Sequence, residues 1–465
     1  MPSGVALPDD LVAWIEDVAG GRVTNADRRP GGARKEAWFV DVCRPDDTVH
    51  ALFLRYDRAD PAASADPWTL HREATVYLAL QDTDVPVPRV LGVHPAHQAM
   101  LSVRVAGENW FSRIADEQAR VRIARDFVTK LAALHRLRPA DLDLPAFPAP
   151  TTVADAVRHE LDELDGILEQ RGGHVDPALV FTLDWLRRNI PSYDGPVVLV
   201  QGDTGPGNFM YDHEQVVAIV DWELAHLGDP MDDIAWLSLR ATQEPLPDFP
   251  ARLREYEALT GYEIDESRVR YYQVMAEAKL QVMMHRGPAG ENRDRDGGGG
   301  GSDIGNRFIY GVLHRRLWFE ALAAAVGLDL VPAELAPSPS PAPGEHDWLY
   351  GAVLDQLREV IVPRIADPLA LVRAKGVARI VKYLEQMSTH GAFYDACELD
   401  DLAELLGERP ASKAVGRVSA ARAARAGELT DRQYLGYLAR RVARETELAR
   451  PAMGALADRH WPELR

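Results

Sequence analysis

The sequence predicts an α+β fold: a small sheet-based N-terminal lobe, a larger and mostly helical second lobe, and an appended all-helical domain. Three observations carry that prediction. Residues 35–57, KEAWFVDVCRPDDTVHALFLRYD, alternate as half-buried strands do around the turn segment Arg44-Pro45-Asp46-Asp47. From Glu117 onward the apolar period becomes that of helices. The stretch Ala336–Gly344, APSPSPAPG, is a stiff proline-serine linker. Together they set boundaries at residues 1–106, 107–335, 336–346 and 347–465.

After the two strands a helical stretch runs over Thr69–Leu80, followed by the proline-bounded VPVPRVLGVH and the apolar run Ala99–Val105, which stops at Ala106-Gly107. In ARVRIARDFVTKLAALHRL, the side chains of Val121, Ala124, Phe127, Val128, Leu131 and Leu134 share one helix face. Residues 151–189 are helical in pattern, whereas Val197–Leu199 and Val216–Val220 read as short buried strands flanking a turn-rich loop. Beyond Asp233 helices return. Tyr271–Arg286, YYQVMAEAKLQVMMHR, carries a continuous apolar stripe expected to pack in a core rather than face a ligand. Gly297–Gly301 and its charged neighbours are expected to form a flexible surface loop. No internal repeat is visible.

Composition narrows the function. At 465 residues the chain is long enough for two or three domains with a substantial core. The N-terminus lacks the basic-then-apolar order of a signal peptide, and no apolar run approaches the roughly 18 residues of a membrane span. Cys43 and Cys397 lie far apart in sequence, which disfavours a disulfide framework and leads us to expect a cytoplasmic location. A formal charge of −19 argues against nucleic-acid binding and is compatible with cationic small molecules.

The most informative segment is Leu199–Asp233, LVQGDTGPGNFMYDHEQVVAIVDWELAHLGDPMDD. It sets Asp203 and Asn208 on a breaker-rich loop and Asp221 at the end of the apolar strand VVAIV. Kinase-type phosphoryl transfer needs such a set: one carboxylate to orient an attacking hydroxyl, plus an amide and a second carboxylate to hold Mg²⁺ against nucleotide phosphates. Either half alone reads more simply as turn residues and a strand-end cap. The two halves at this spacing, joined by a short hairpin, favour the catalytic reading.

On these residues the chain resembles the aminoglycoside phosphotransferase and choline kinase-like superfamily over residues 20 to about 240. That resemblance implies a protein-kinase-like bilobal fold, with a nucleotide-binding N-terminal lobe and a helical catalytic lobe. The family's His-Gly-Asp with Asn five positions later matches Gln201-Gly202-Asp203 and Asn208, and its metal-binding Asp matches Asp221. Carried over, Asp203 is the catalytic base, Asn208 and Asp221 bind Mg²⁺, and ATP or GTP is the co-substrate. Gly228-Asp229-Pro230 and Asp233 are implied to brace the loop. LHRL at 134–137 and VPVPRVLG at 85–92 fit more weakly.

In the N-terminal lobe, Gly31 and Gly32 of RPGGARK resemble the family's phosphate loop. Arg55 stands where the family carries a lysine on the third strand, with Glu73 as its expected helix partner. Lys35 is a candidate to share the phosphate contact, and Met100–Val105, with Arg104, corresponds to the hinge strand beside adenine. Gln201 departs from the family histidine but can still donate and accept one hydrogen bond each. The context LxxxGDPMDDIAWL resembles the acyl-CoA dehydrogenase-associated branch more than dedicated resistance enzymes. The implied acceptor is a hydroxyl on a small molecule: a hydroxylated acyl-CoA-like metabolite, an antibiotic or a sugar alcohol. The departures at Gln201 and Arg55 leave open a second class, a nucleotide-binding pseudokinase that acts as a scaffold without turnover.

Outside this segment, His135 reads as a hydrogen-bonded packing histidine and His226 as a loop brace. No Cys/His spacing supports zinc, and no G-x-S-x-G supports a hydrolase. The basic stretch Ala414–Arg425 reads as a solvated helix face. The 347–465 region resembles helical domains appended to bacterial phosphotransferases. Packing or homodimerisation through these helices is its expected role.

Overall fold

The computed structural model describes residues 7–29, 35–58, 67–285, 304–328, 335, 338–339 and 344–465. The expected loop at Gly297–Gly301, Gly31 and Gly32, and most of the Ala336–Gly344 linker lie outside the described residues. The architecture is α+β, with an N-terminal antiparallel sheet and helices dominating the remainder. Contacts divide the chain into two compact units: Met1–Glu163 with Ser192–Val269 and Pro462–Arg465, and Leu164–Pro191 with Arg270–Trp461. Residues 347–461 therefore share a unit with residues 164–191 and 270–328.

In the first unit, helix α1 (Asp9–Ala19) precedes strands β1 (Arg22–Arg29), β2 (Glu36–Cys43) and β3 (Val49–Asp57). Helix α2 (Leu70–Leu80) follows, then β4 (Val90–Val93) and β5 (Gln98–Val103). The five strands pair antiparallel in the order β1-β2-β3-β5-β4. Alternation in β2 buries Trp38, Val40 and Val42 with Leu52 and Leu54 of β3 and Leu11 and Ile15 of α1. Each such side chain is worth roughly 1.5–3 kcal/mol of burial. The opposite sheet face is left to Phe39, Asp41, Phe53 and Arg55. The sequence pattern gave no strand at β1, because RVTNADRR is an exposed edge strand with no buried face to alternate.

Helix α2 begins where Thr69 accepts a hydrogen bond from Arg72 N, as an N-cap does. Its buried face carries Leu70, Ala74, Tyr77 and one acid, Glu73. Helix α3 (Glu117–Arg136) buries Ala124, Phe127, Val128, Leu131 and Leu134, with Ile123 on the same side and Val121 half-buried. Helices α4 (Val153–Arg171) and α5 (Pro177–Arg188) follow. The short strands β6 (Val198–Val200) and β9 (His226–Gly228) pair with one another, and the hairpin β7 (Phe209–Asp212) and β8 (Gln215–Ile219) lies between them in sequence. Helices α6 (Pro230–Gln243), α7 (Phe249–Thr260) and α8 (Glu266–Met284) continue the chain.

The second unit is helical. Besides α5 it contains most of α8, α9 (Ile304–Ala325), α10 (Trp348–Asp355), the long α11 (Pro368–Leu406), α12 (Lys413–Arg425) and α13 (Asp431–Met453). Residues 271–279 of α8 are all buried, in keeping with core packing of the stripe. In α12, Gly416, Ala420, Ala421, Ala423 and Ala424 are buried while Arg422 and Arg425 face solvent. The basic stretch is thus only half a solvated face, since its small residues pack inward. Both cysteines are free thiols. Among the described residues no helix is long and apolar enough to cross a membrane.

Candidate active site

The loop from Gln201 to Asn208 leaves β6 and enters the β7–β8 hairpin. Pairing of Phe209 with Ile219 continues past the strands, so that Val220 N donates to Asn208 O at 2.9 Å. Gln201 Nε2 donates to Val220 O at 2.8 Å, and Ile219 N donates to Pro86 O. These bonds hold the loop bearing Asp203 and Asn208 against the segment that ends in Asp221. Gln201 therefore braces the loop with its amide. Gly202 has φ +80°, and a Cβ there would meet Leu224 O at 2.3 Å, so only glycine fits this close approach.

A buried network lies beneath the loop. Asp233 accepts from Gln201 N (2.8 Å), Gly202 N (3.0 Å) and the Thr204 hydroxyl. His135 Nε2 lies 2.9 Å from the same carboxylate, and its Nδ1 lies 2.6 Å from Tyr256 Oη. With the tautomer assigned from these partners, Nε2–H donates to Asp233 and Nδ1 accepts from Tyr256. Burial opposes charge on Asp233, yet the His135 bond, helped by Thr204 and backbone N–H groups, holds its carboxyl below the usual range. The Gly-Asp-Pro sequence before it is a helix start: Asp229 caps α6 by accepting from Met231 N, Pro230 takes the first helical position, and Arg268 pairs with Asp229.

Asn208 Nδ2 donates to both Asp203 O and Asp203 Oδ2, each at 2.7 Å. The amide is thereby turned so that its Oδ1 is left for a cation. Asp221 sits in the left-handed region at φ +64°, unusual for a non-glycine residue and worth roughly 1–3 kcal/mol of strain. Its N–H donates to Tyr77 Oη at 3.1 Å. One hard carboxylate and one amide oxygen on adjoining segments form a donor set that suits Mg²⁺, which takes few protein ligands and keeps waters.

Basic groups surround these acids. Arg55 Nη1 lies 3.2 Å from Asp221 Oδ1 and 3.3 Å from Glu73 Oε1. Lys35 Nζ lies 3.1 Å from Glu73 Oε2 and 2.8 Å from Glu223 Oε2, almost fully buried. Glu73 was expected to hold Arg55 alone. It holds two cations, because the start of β2 lies beside α2. Burial opposes charge on Asp221, but Arg55 first, then Lys35 and Arg240, keep its carboxyl below the usual range. For Asp203 burial prevails and pushes the carboxyl up, against the pull of Arg240.

Of the residues singled out from sequence, Asp203, Asn208, Asp221, Lys35, Arg55 and Glu73 are thus linked. Arg104 is not joined to them: its Nη2 donates to Asp41 at 2.9 Å and its guanidinium lies 4.8 Å from the centre of the Phe39 ring. Three contributors were missed. Glu223 lies two residues after Asp221, and Tyr77 four after Glu73 on the same face of α2. Arg240 donates through Nε to Asp203 Oδ1 at 2.7 Å and through Nη2 to Oδ2. Its signal was available, because Arg240 lies seven residues after Asp233 and two turns of α6 place both on one side.

His226 forms a separate cluster with Glu160 and Asp232, 3.2 and 3.0 Å from its ring nitrogens. Their ligand atoms lie within 4.8 Å of one another, a spacing that could accept a metal ion.

A sequence model of the phosphotransferase enzyme family matches residues 28–272. Acyl-CoA dehydrogenase family member 11 of Rattus norvegicus is 40% identical over 65 residues, covering 14% of this chain and 8% of that protein. The Homo sapiens protein of the same name is 36% identical over 73 residues, 15% of this chain and 9% of its own length. The matched region is therefore a small part of those relatives. Among solved structures, the streptomycin–ATP–APH(2")-IIa ternary complex superposes with a TM-score of 0.45 at 15% identity, covering 62% of this chain and 96% of that one. Macrolide 2'-phosphotransferase MphH from Brachybacterium faecium gives 0.42 at 20% identity, covering 59% and 92%.

Proposed function

Because the chain belongs to the phosphotransferase enzyme family, we propose that it transfers the γ-phosphate of ATP or GTP to a hydroxyl of a small molecule. The observation that carries the reading is the orientation of Asn208, whose Nδ2 is spent on Asp203 while Oδ1 has no hydrogen-bond donor among the described residues, on a segment bonded through Asn208 O to Val220 N, the neighbour of Asp221. Asp203 accepts the hydrogen bond of the substrate hydroxyl and aligns its oxygen for in-line attack, taking the proton as the new bond forms. Asn208 and Asp221 are the residues that hold Mg²⁺. The bound cation supplies charge neutralisation across the nucleotide phosphates. Lys35 and Arg55, positioned through Glu73, face those phosphates from the sheet. The strand Met100–Val105 is the proposed hinge beside the base, approached through its backbone.

The local likeness to acyl-CoA dehydrogenase family member 11 supports testing hydroxylated acyl thioesters first as acceptors. Transfer from γ-labelled ATP and GTP to pooled hydroxylated thioesters, sugar alcohols, aminoglycosides and macrolides tests the proposal. Asp203→Ala is expected to lower transfer at least ~10³-fold with nucleotide affinity nearly unchanged, and Asp221→Ala to weaken Mg²⁺-nucleotide binding itself. Native-rate transfer by the Asp203 variant would remove it as the base. A nucleotide-binding scaffold without turnover is the second reading, favoured by Arg55 in place of a lysine. Metal-dependent ATP binding with no labelled product across the panel would select it.

A further inference from the structure

The loop Asp203-Thr-Gly-Pro-Gly-Asn208 carries no basic side chain of its own, although the chemistry proposed for it develops negative charge above it. Gly205, two residues after Asp203, has φ +139°, and a Cβ there would meet Arg240 Cβ at 2.7 Å and Cγ at 3.1 Å. The space a loop side chain would fill is taken by an arginine arriving from α6. That arginine binds both oxygens of Asp203 through Nε and Nη2. Its third nitrogen, Nη1, has no hydrogen-bond acceptor among the described residues. The side chain as a whole remains one-quarter exposed, and Nη1 lies toward Gly207 of the same loop, 3.8 Å from where a Cβ would stand.

We propose that Arg240 is the transition-state cation of this loop: two of its nitrogens fix Asp203, and Nη1 receives an oxygen of the phosphoryl group in transit. In the step it serves, the substrate oxygen bonds to the γ-phosphorus as the bond from that phosphorus to the β–γ bridging oxygen breaks. The nucleoside diphosphate leaves with the electron pair, and the hydroxyl proton passes to Asp203. Charge accumulates on the three equatorial oxygens, and a planar guanidinium held by its other edge is pre-organised to meet one of them. Arginines supplied to such transition states are worth about 10³–10⁵ in turnover. The helix supplies the cation because the glycine leaves room for it.

This inference rests on the phosphotransferase reading, and a binding experiment separates the two without needing the acceptor. Mg·ADP affinity is measured by calorimetry with and without aluminium fluoride, which mimics the phosphoryl group in transit. The wild-type protein is expected to bind Mg·ADP at least ~100-fold more tightly with aluminium fluoride present. Arg240→Ala should lose most of that gain while its Mg·ADP affinity without fluoride stays within about threefold. Arg240→Lys should recover part of the gain, and Gly205→Ala, which must displace Arg240, should lose part of it. Thermal unfolding of each variant checks that the fold is intact. Full gain in Arg240→Ala, or equal weakening of the two complexes, overturns the assignment. Wild-type protein that binds Mg·ADP without any gain overturns it too, yet leaves nucleotide binding standing. Failure of wild-type protein to bind Mg·ADP removes the reading of the site and this inference with it.

Discussion

Among the described residues, Asp176, Glu398, Asp401 and Glu445 of the helical unit face five arginines, whereas around the loop 201–208 Glu73, Asp203, Asp221 and Glu223 face only Lys35, Arg55 and Arg240. Apart from Asp176, which is the N-cap of α5, the helical set lies within regular helices: Arg441 pairs with Asp176 at 2.8 Å, Arg417 with Glu398 at 2.7 Å, Arg440 with Asp401 at 2.7 Å and Arg315 with Glu445 at 2.9 Å. The loop set includes a left-handed Asp221 and a glycine that tolerates no side chain. Paired charge on relaxed backbone is what a core needs. Surplus acid beside a strained Asp221 is stable only because the rest of the unit over-determines it, and it is consistent with the ligand cation proposed for this site.

Breaking each set in turn tests that contrast. The largest effect is expected from Glu73→Ala, which leaves Lys35 and Arg55 without their shared acid and costs about 3 kcal/mol in urea unfolding. A loss under about 0.5 kcal/mol would mean that Glu223 and Asp221 alone suffice to hold the two cations. In the helical unit, Asp176→Asn is expected to cost about 1–2 kcal/mol at neutral pH. Burial opposes charge on Asp176, but Arg441 brings its carboxyl down to about 2. A depressed carboxyl stabilises above its unfolded value near 4 and loses that contribution as pH falls through 2. The gap between wild type and Asp176→Asn should therefore close between about pH 4 and pH 2. A gap that persists at pH 2 would rule out the ion pair as its source. The smallest effect is expected from Gln201→Ala, about 1 kcal/mol for one lost donor to Val220 O. Its Mg·ADP affinity should fall further than its stability, because the bond joins the two segments of the site. Equal proportional losses would make Gln201 a packing residue.

Much of the site was readable because its signals are local. Asp203, Asn208 and Asp221 lie within one strand–loop–hairpin unit, whose short turns leave few ways to arrange them. The helix start at Asp229-Pro230 and the brace at Asp233 follow from capping rules and sequence adjacency. Lys35 and Glu73 are 38 residues apart, and their ion pair depends on β2 beginning beside α2. Edge strand β1 gave no pattern, because neither of its faces is buried. Arg104 sat at the expected strand end, yet its direction was set by Asp41 and Phe39 across the sheet. Such choices belong to side chains that meet only after folding.

Periodicity, breaker residues and one dense motif were enough, from the chain alone, to point to an α+β fold, a family and the candidate base Asp203 with the candidate metal donors Asn208 and Asp221, since each depends on neighbours in sequence. Tertiary packing alone decided which cations answer those donors. Arg240 comes from α6 and Lys35 from the bend just before β2, and long charged side chains take the nearest opposite charge that the assembled fold presents.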